Sequence, residues 1–339
     1  MTSAPGLRSA ADQAADQAAD QAADHLGSGG APGSAEPLLG GLPAARRAQP
    51  KPDDSAGDIG RLVVSCVDGP GIVARVSGFL HRRGANIVQS DQYSTGPVGG
   101  KFFLRTEFHL PGLAEQLPEL EQAFAEEVAG PLAAEFRIRD AARPTRVALF
   151  VSRYDHCLLD LLWRARRGEL PLQVELVVSN HADLAADVAA FGVPFEHIPV
   201  SKATKAAAEQ RQLDLLRDRV DLVVLARYMQ ILTADFLSRV DVPVINIHHS
   251  FLPAFAGASP YEQAKNRGVK LIGATAHYAT EDLDEGPIIE QDVARVSHRS
   301  SVAELTRSGA DIERTVLARA VKWHCEDRVL VNGRTTIAF

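Results

Sequence analysis

The chain has 339 residues, 45% of them hydrophobic, and a net charge of −7 from 36 basic and 43 acidic residues. That length suits two globular domains plus extra sequence, and without a basic block there is no electrostatic case for nucleic acid or an anionic membrane surface. No apolar run is long enough to span a membrane, and the N-terminus lacks signal-peptide order and is poor in arginine, so neither a secretory signal nor a mitochondrial transit peptide is expected.

Cys66, Cys157 and Cys325 are far apart and match no metal or disulfide spacing. They are read as ordinarily buried thiols in a reducing cytoplasm.

Residues 1–57 are low in complexity, with Ala-Asp-Gln-Ala repeated between Ala11 and Asp24 and a Gly/Pro/Ser/Ala stretch behind it. No face of that repeat is more apolar than alanine, so a disordered tail is expected.

Residues 58–141 predict a small α/β unit. Arg61–Val67 is a β-branched strand, and Asp68-Gly69-Pro70-Gly71 is a turn. Ile72–Arg83 has helical apolar spacing at Ile72, Val73, Val76, Phe79 and Leu80. Ile87–Ser94 and Lys101–His109 predict two strands joined by the Gly96–Gly100 loop. Leu113–Ala129 predicts a helix and Ala134–Ile138 a last strand. The order βαββαβ is ferredoxin-like. A strand, Asp-x-x-Gly-Ile-Val and a helix ending near Gly-Ala-Asn-Ile together resemble an ACT domain. Such domains pair with one another and bind amino acids at the strand–helix turn. The resemblance therefore implies a homo-oligomer, with Asp68, Gly71 and Asn86 near an amino-acid effector. The plainer alternative is that Gly71 only permits the turn and Asn86 only turns the chain.

Ala142–Pro144 reads as a linker, and residues 145–339 as the larger domain. Apolar runs at Val147–Val151, Gln173–Ser179, Leu222–Ala226 and Val244–Ile247 alternate with amphipathic stretches at Leu158–Arg166, Leu184–Phe191 and Ala206–Arg219. This pattern predicts a mostly parallel, Rossmann-like sheet with helices on both faces. Ligands in such sheets sit beyond the carboxyl ends of the strands.

One of those ends carries reactive groups. In Val244-Ile245-Asn246-Ile247-His248-His249, Asn246 and His248 are two apart and point to one face of an extended chain. An amide N–H stabilises a developing oxyanion while an imidazole moves a proton. Downstream, Gly273–Thr280 predicts a strand that leads through an acidic turn, Glu281–Gly286, into another strand at Ile288. Asp284 in that turn is placed to orient His248 and a water. Glu281, Asp282 and Glu285 are read as solvated turn charges.

Together these segments resemble the glycinamide ribonucleotide formyltransferase family, which carries Asn-x-His-x-Ser-x-Leu-Pro followed about thirty residues later by Leu-Asp-x-Gly-Pro-Ile. The resemblance implies that Asn246 polarises a formyl carbonyl, that His248 transfers the proton and that Asp284 partners it. It also implies folate lying along Arg227, Met229, Gln230, Ile231 and Leu232 and along Ala279, Thr280 and Leu283. The apolar members of that set serve equally well as ordinary core.

Two features bear on the acceptor. The first strand of the larger domain is followed by Ser152-Arg153-Tyr154-Asp155-His156-Cys157, with no glycine to let backbone approach a phosphate and with Asp155 adding negative charge. Position 249 is His where the ribonucleotide transferases carry Pro. The stretches His248–Pro253, Gly273–Tyr278 and Asp284–Asp292, behind an ACT-like unit, resemble the formyltetrahydrofolate deformylase branch, a resemblance covering residues 58–339. It implies hydrolysis of 10-formyltetrahydrofolate to tetrahydrofolate and formate, with formate feeding purine synthesis and the one-carbon pool kept balanced. No metal and no cofactor beyond the folate substrate are expected. His249 and His277 either line the water side or fix the loop. Alternatives are transfer of formyl to an amine, of sugar-nucleotide or methionyl-tRNA type, and a non-catalytic folate or amino-acid sensor.

Overall fold

In the computed structural model, residues 57–253 and 260–339 are described. The tail expected over residues 1–57 lies almost wholly outside them.

The first sheet has strand order β2-β3-β1-β4. It is built from β1 (Ile59–Val67), β2 (Asn86–Ser94), β3 (Lys101–His109) and β4 (Glu135–Asp140). Two helices, α1 (Ile72–Arg82) and α2 (Leu113–Phe124), cover one face through Ile72, Val76, Phe79, Leu113 and Phe124 packed on Leu62, Val64, Leu104 and Ile138. The βαββαβ order is as expected. Where the sequence predicts one helix to Ala129, the regular helix ends at Phe124 and widens to a π-turn over Ala125–Ala129. Gly71 starts α1 at φ 88, a left-handed conformation that glycine adopts without a Cβ penalty.

The second sheet runs β11-β10-β9-β8-β5-β6-β7. Its strands are β5 (Thr145–Val151), β6 (Leu172–Ser179), β7 (Phe195–His197), β8 (Leu222–Leu225), β9 (Val244–His248), β10 (Leu271–Tyr278) and β11 (Ile288–Arg295). β7-β6-β5-β8-β9 pair in parallel, and β10 and β11 add antiparallel strands at one edge. The apolar runs follow from burial on both faces. Val147, Leu149, Val151, Ile245 and Ile247 face one core, while Ala148, Phe150, Val223 and Leu225 face the other. Each fully buried Leu or Phe contributes about 2 kcal/mol.

The first core is covered by α3 (His156–Arg166), α4 (Ala185–Ala189), α7 (Pro260–Arg267) and α8 (Val302–Cys325), the second by α5 (Lys205–Leu216) and α6 (Ala234–Arg239). A two-stranded ribbon of β12 (Val329–Asn332) and β13 (Thr335–Ala338) follows. α8 is the main departure from the sequence reading, which has no helix there. Its start is a capping box, with Ser301 Oγ accepting from Glu304 N and Glu304 Oε2 accepting from Ser301 N. β7 is placed at Phe195–His197 by its parallel pairing with Val177–Ser179.

The two sheets meet at the end of α8. Arg61 Nη1 donates to Cys325 O at 3.1 Å, and Arg105 Nε and Nη2 donate to Glu326 O at 3.1 and 2.8 Å. Asp327, 2% exposed, accepts from Arg137. The carbonyls that a helix leaves unsatisfied at its C-terminus are thus met by cations from the first sheet.

Candidate active site

Asn246 and His248 leave the carboxyl end of β9, on the same side of an extended chain. Asp284 comes from the turn between β10 and β11. Two local features hold that turn. Asp284 sits at φ 57, a left-handed conformation that Asp tolerates better than most residues. Gly286 lies so close to β10 that a Cβ there would stand 1.7 Å from Tyr278 O, so only glycine fits. Asp284 Oδ1 is 3.2 Å from His248 Nδ1. The other ring nitrogen, His248 Nε2, is buried without a hydrogen-bond partner among the described residues.

Asn246 is oriented by His277. The antiparallel register places the two residues opposite each other on β9 and β10. His277 Nδ1 is 3.0 Å from Tyr278 O, so it carries the proton and donates. Nε2 is then an acceptor, 3.1 Å from Asn246 Nδ2. Burial first of all lowers the His277 pKa, which keeps the ring neutral and this pairing intact.

Beside the triad lies a pocket on the α5/α6 side of the sheet. Arg227, Met229, Gln230, Ile231, Leu232, Ala279, Thr280 and Leu283 all line it, together with Asn246, His248 and Asp284. Tyr228, within the same 227–232 segment, also lines it, as do Leu237 and Ile247, which are missing from the sequence reading. The glycine-free segment after β5 has a visible task. Ser152, fully buried, accepts from Met229 N at 2.9 Å, donates to Asn180 Oδ1 at 2.7 Å, and through its own N–H bonds Arg227 O at 3.1 Å. It fastens the 227–232 loop to the sheet. Arg227 itself is held at φ 65, a strained position for a long side chain.

Behind the triad, on the α3/α7/α8 side, is a buried ionic cluster the sequence did not disclose. Glu313, 2% exposed, accepts from Tyr261 Oη at 2.7 Å and lies 2.8 Å from His156 Nε2 and 3.4 Å from Arg227 Nε. Burial pushes its carboxyl up, but Arg227 and His156 more than offset this and hold it at about 2. His249 stacks on His248 with ring centroids 5.2 Å apart and packs against Tyr261 at 6.4 Å. Burial, then the Arg227 charge, lower the His249 pKa well below the ordinary value. His156, Cys157 and Glu313 have ligand atoms within 4.8 Å of one another. A cation there would meet the Arg227 guanidinium and a Cys157 thiol that burial keeps protonated, so the chemistry of this set favours hydrogen bonding over ligation.

Of the three ACT-unit candidates, Asp68 and Gly71 lie together. Asp68 Oδ2 accepts from Ser94 Oγ at 2.5 Å, at the carboxyl end of β1. Asn86 does not join them. β2 runs parallel to β1 with β3 between, so Asn86 is level with Ile59, at the far end of the sheet and roughly 30 Å away. The helix α1 carries the chain back to that end before β2 begins. All three cysteines are buried and free.

The formyl transferase family matches residues 145–321, and the ACT domain family matches residues 60–125. A formyltetrahydrofolate deformylase from Mycobacterium tuberculosis is 61% identical over 282 residues, covering 83% of this chain and 91% of that one. The chain belongs to the formyltetrahydrofolate deformylase family. The enzyme of that name from Bacillus subtilis is 52% identical over 84% of this chain and 95% of its own. The crystal structure of a formyltetrahydrofolate deformylase from Pseudomonas syringae superposes with a TM-score of 0.79 at 46% identity, covering 83% of this chain and 94% of that one. The deformylase family places the chain among hydrolases that act on a formyl-amide C–N bond. The ACT-then-formyltransferase order and the mostly parallel sheet are those the sequence implies.

Proposed function

We propose that this chain hydrolyses 10-formyltetrahydrofolate to tetrahydrofolate and formate, with Asn246, His248 and Asp284 as its catalytic residues. Folate binds in the pocket between the 227–232 loop and the 279–284 turn. The observation that carries the reading is the His248–Asp284 pair at 3.2 Å, which leaves the second imidazole nitrogen buried beside that pocket and without a hydrogen-bond partner among the described residues.

Asp284 holds the proton of His248 on Nδ1, so Nε2 is a base. A water gives its proton to Nε2 as its oxygen bonds to the formyl carbon. Asn246 Nδ2, already aimed by His277, donates to the oxygen that gains charge. The tetrahedral intermediate collapses as the carbon–N10 bond breaks, and His248 returns its proton to N10. No step calls for a metal or a second cofactor.

The residues 58–141 form a regulatory unit in this reading, and residues 145–339 the catalytic unit. An amino-acid effector sits at the Asp68–Gly71 turn, the enzyme works in the cytoplasm as a homo-oligomer, and the released formate supplies purine synthesis. Among the described residues no helix is long and apolar enough to cross a membrane.

Replacement tests the assignment. Asn246→Ala, His248→Ala and Asp284→Ala are each expected to lower kcat for formate release by 10²-fold or more, since one lost transition-state donor is worth about 3 kcal/mol. KM and the unfolding midpoint are expected to stay near the parent values. Full activity in any one variant removes that residue from the mechanism.

A further inference from the structure

Asn246 and His248 sit between two very different surroundings. On the α5/α6 side is the open pocket lined by the 227–232 loop. On the α3/α7/α8 side is the cluster of Glu313, Tyr261, His156 and Arg227, which the reaction steps above do not use. Strand alternation sends the Ile245 and Ile247 side chains into the α3/α7/α8 core and Asn246 and His248 the other way, while His249, just past the strand, borders the pocket with its ring stacked on His248 and packed against Tyr261.

We infer that the Glu313-centred cluster is a specificity device: it fills the acceptor side of the reacting centre with protein, so that water and not an amine meets the formyl carbon. If folate occupies the pocket, an amine must reach that carbon from elsewhere. The space behind the triad is taken by His249, then the Tyr261 ring, then Glu313 and Arg227, which are 2% and 8% exposed. The carboxylate fixes this wall by binding three side chains from three elements: His156 at the start of α3, Arg227 after β8 and Tyr261 on α7. Arg227 spans both sides, lining the pocket and stacking over the Tyr154 ring at 4.9 Å. The seat is shaped for the ring. A Cβ at Gly309 of α8 would stand 1.9 Å from Tyr261 Oη, so a glycine is kept within a helix, where it is otherwise destabilising. Glu313 is thus a positioning residue, acting through Tyr261 and Arg227.

The inference rests on the hydrolysis reading above, and a partition experiment separates the two. The full chain is given 10-formyltetrahydrofolate together with hydroxylamine, a compact amine nucleophile. Formate and N-formylhydroxylamine are measured together, above the uncatalysed background. By either route the nucleophile's oxygen or nitrogen bonds to the formyl carbon, the carbon–N10 bond breaks, and the nucleophile's proton ends on N10. The parent protein is expected to yield formate almost alone. Tyr261→Ala and Glu313→Ala open the wall, and each is expected to raise the ratio of N-formylhydroxylamine to formate at least ten-fold. Tyr261→Phe keeps the volume of the ring and is expected to hold the parent ratio. Tyr261→Leu, smaller but still apolar, carries the test where an alanine variant does not fold. An unchanged ratio in folded Tyr261→Ala or Tyr261→Leu overturns the inference. A rise in Tyr261→Phe equal to that in Tyr261→Ala also overturns it, because volume is then not the determinant. A parent protein that forms N-formylhydroxylamine and no formate overturns the hydrolysis reading, and the inference with it.

Discussion

The amide of Asn246 owes its direction to the residue opposite it in the sheet. His277 accepts from Asn246 Nδ2 at 3.1 Å because its own proton is committed to Tyr278 O. The sequence left His277 open between lining the site and fixing it; the register of β9 against β10, which no local pattern discloses, places it against Asn246. His277→Ala is therefore expected to lower kcat about five-fold with KM little changed, since one net hydrogen bond is worth about 1 kcal/mol. A kcat equal to the parent's in steady-state assays would separate His277 from the chemistry. Asn246, His248 and Asp284 were legible because each lies in a short segment of characteristic spacing. The cluster behind them was not, because His156 and Glu313 are 157 residues apart and meet only through the fold.

At the scale of elements, the alternation of apolar runs with amphipathic stretches disclosed most of the second sheet, and α8 escaped. Its signals were present in the Ser301–Glu304 capping box and in Leu305, Ile312, Val316 and Val321, all buried. Two substitutions test what α8 does. Propensity alone makes Gly309→Ala a gain of about 1 kcal/mol in a helix. The 1.9 Å approach to Tyr261 makes it a loss, and a lowered unfolding midpoint is expected. The second is Arg105→Ala. Arg105 is 3% exposed, pairs with Glu107 at 2.5 Å and donates twice to the carbonyl of Glu326 at the end of α8. Its removal is expected to destabilise the chain by about 2 kcal/mol in urea unfolding, the scale of hydrogen bonds from a charged donor. No change would mean that the two sheets are not joined energetically at this point.

For the whole molecule, buried groups tie stability to pH. His324 bonds Tyr278 Oη through Nδ1 at 2.8 Å, and burial, then Arg137 and Arg139, lower its pKa from 6.5 to about 3. Glu313 is lowered from 4.5 to about 2 by Arg227 and His156 acting against burial. Both groups bind fewer protons folded than unfolded. Their stabilisation is complete above pH 6.5 for His324 and above 4.5 for Glu313, and it drains away as the pH falls through each window. His324 alone is expected to remove about 1 kcal/mol per pH unit between pH 6 and 4. Urea midpoints that stay level or rise on acidification would contradict this. The two-unit organisation was readable from composition and element order, whereas the docking of the first sheet on the end of α8 was not, because Arg61, Arg105 and Arg137 look like ordinary surface charges along their strands. The central claim is that this molecule delivers formyl to water. The direct measurement is formate release from 10-formyltetrahydrofolate by the pure protein with no amine present. Formate and tetrahydrofolate in equal amounts over many turnovers are expected; turnover that begins only when an amine is added would contradict the account.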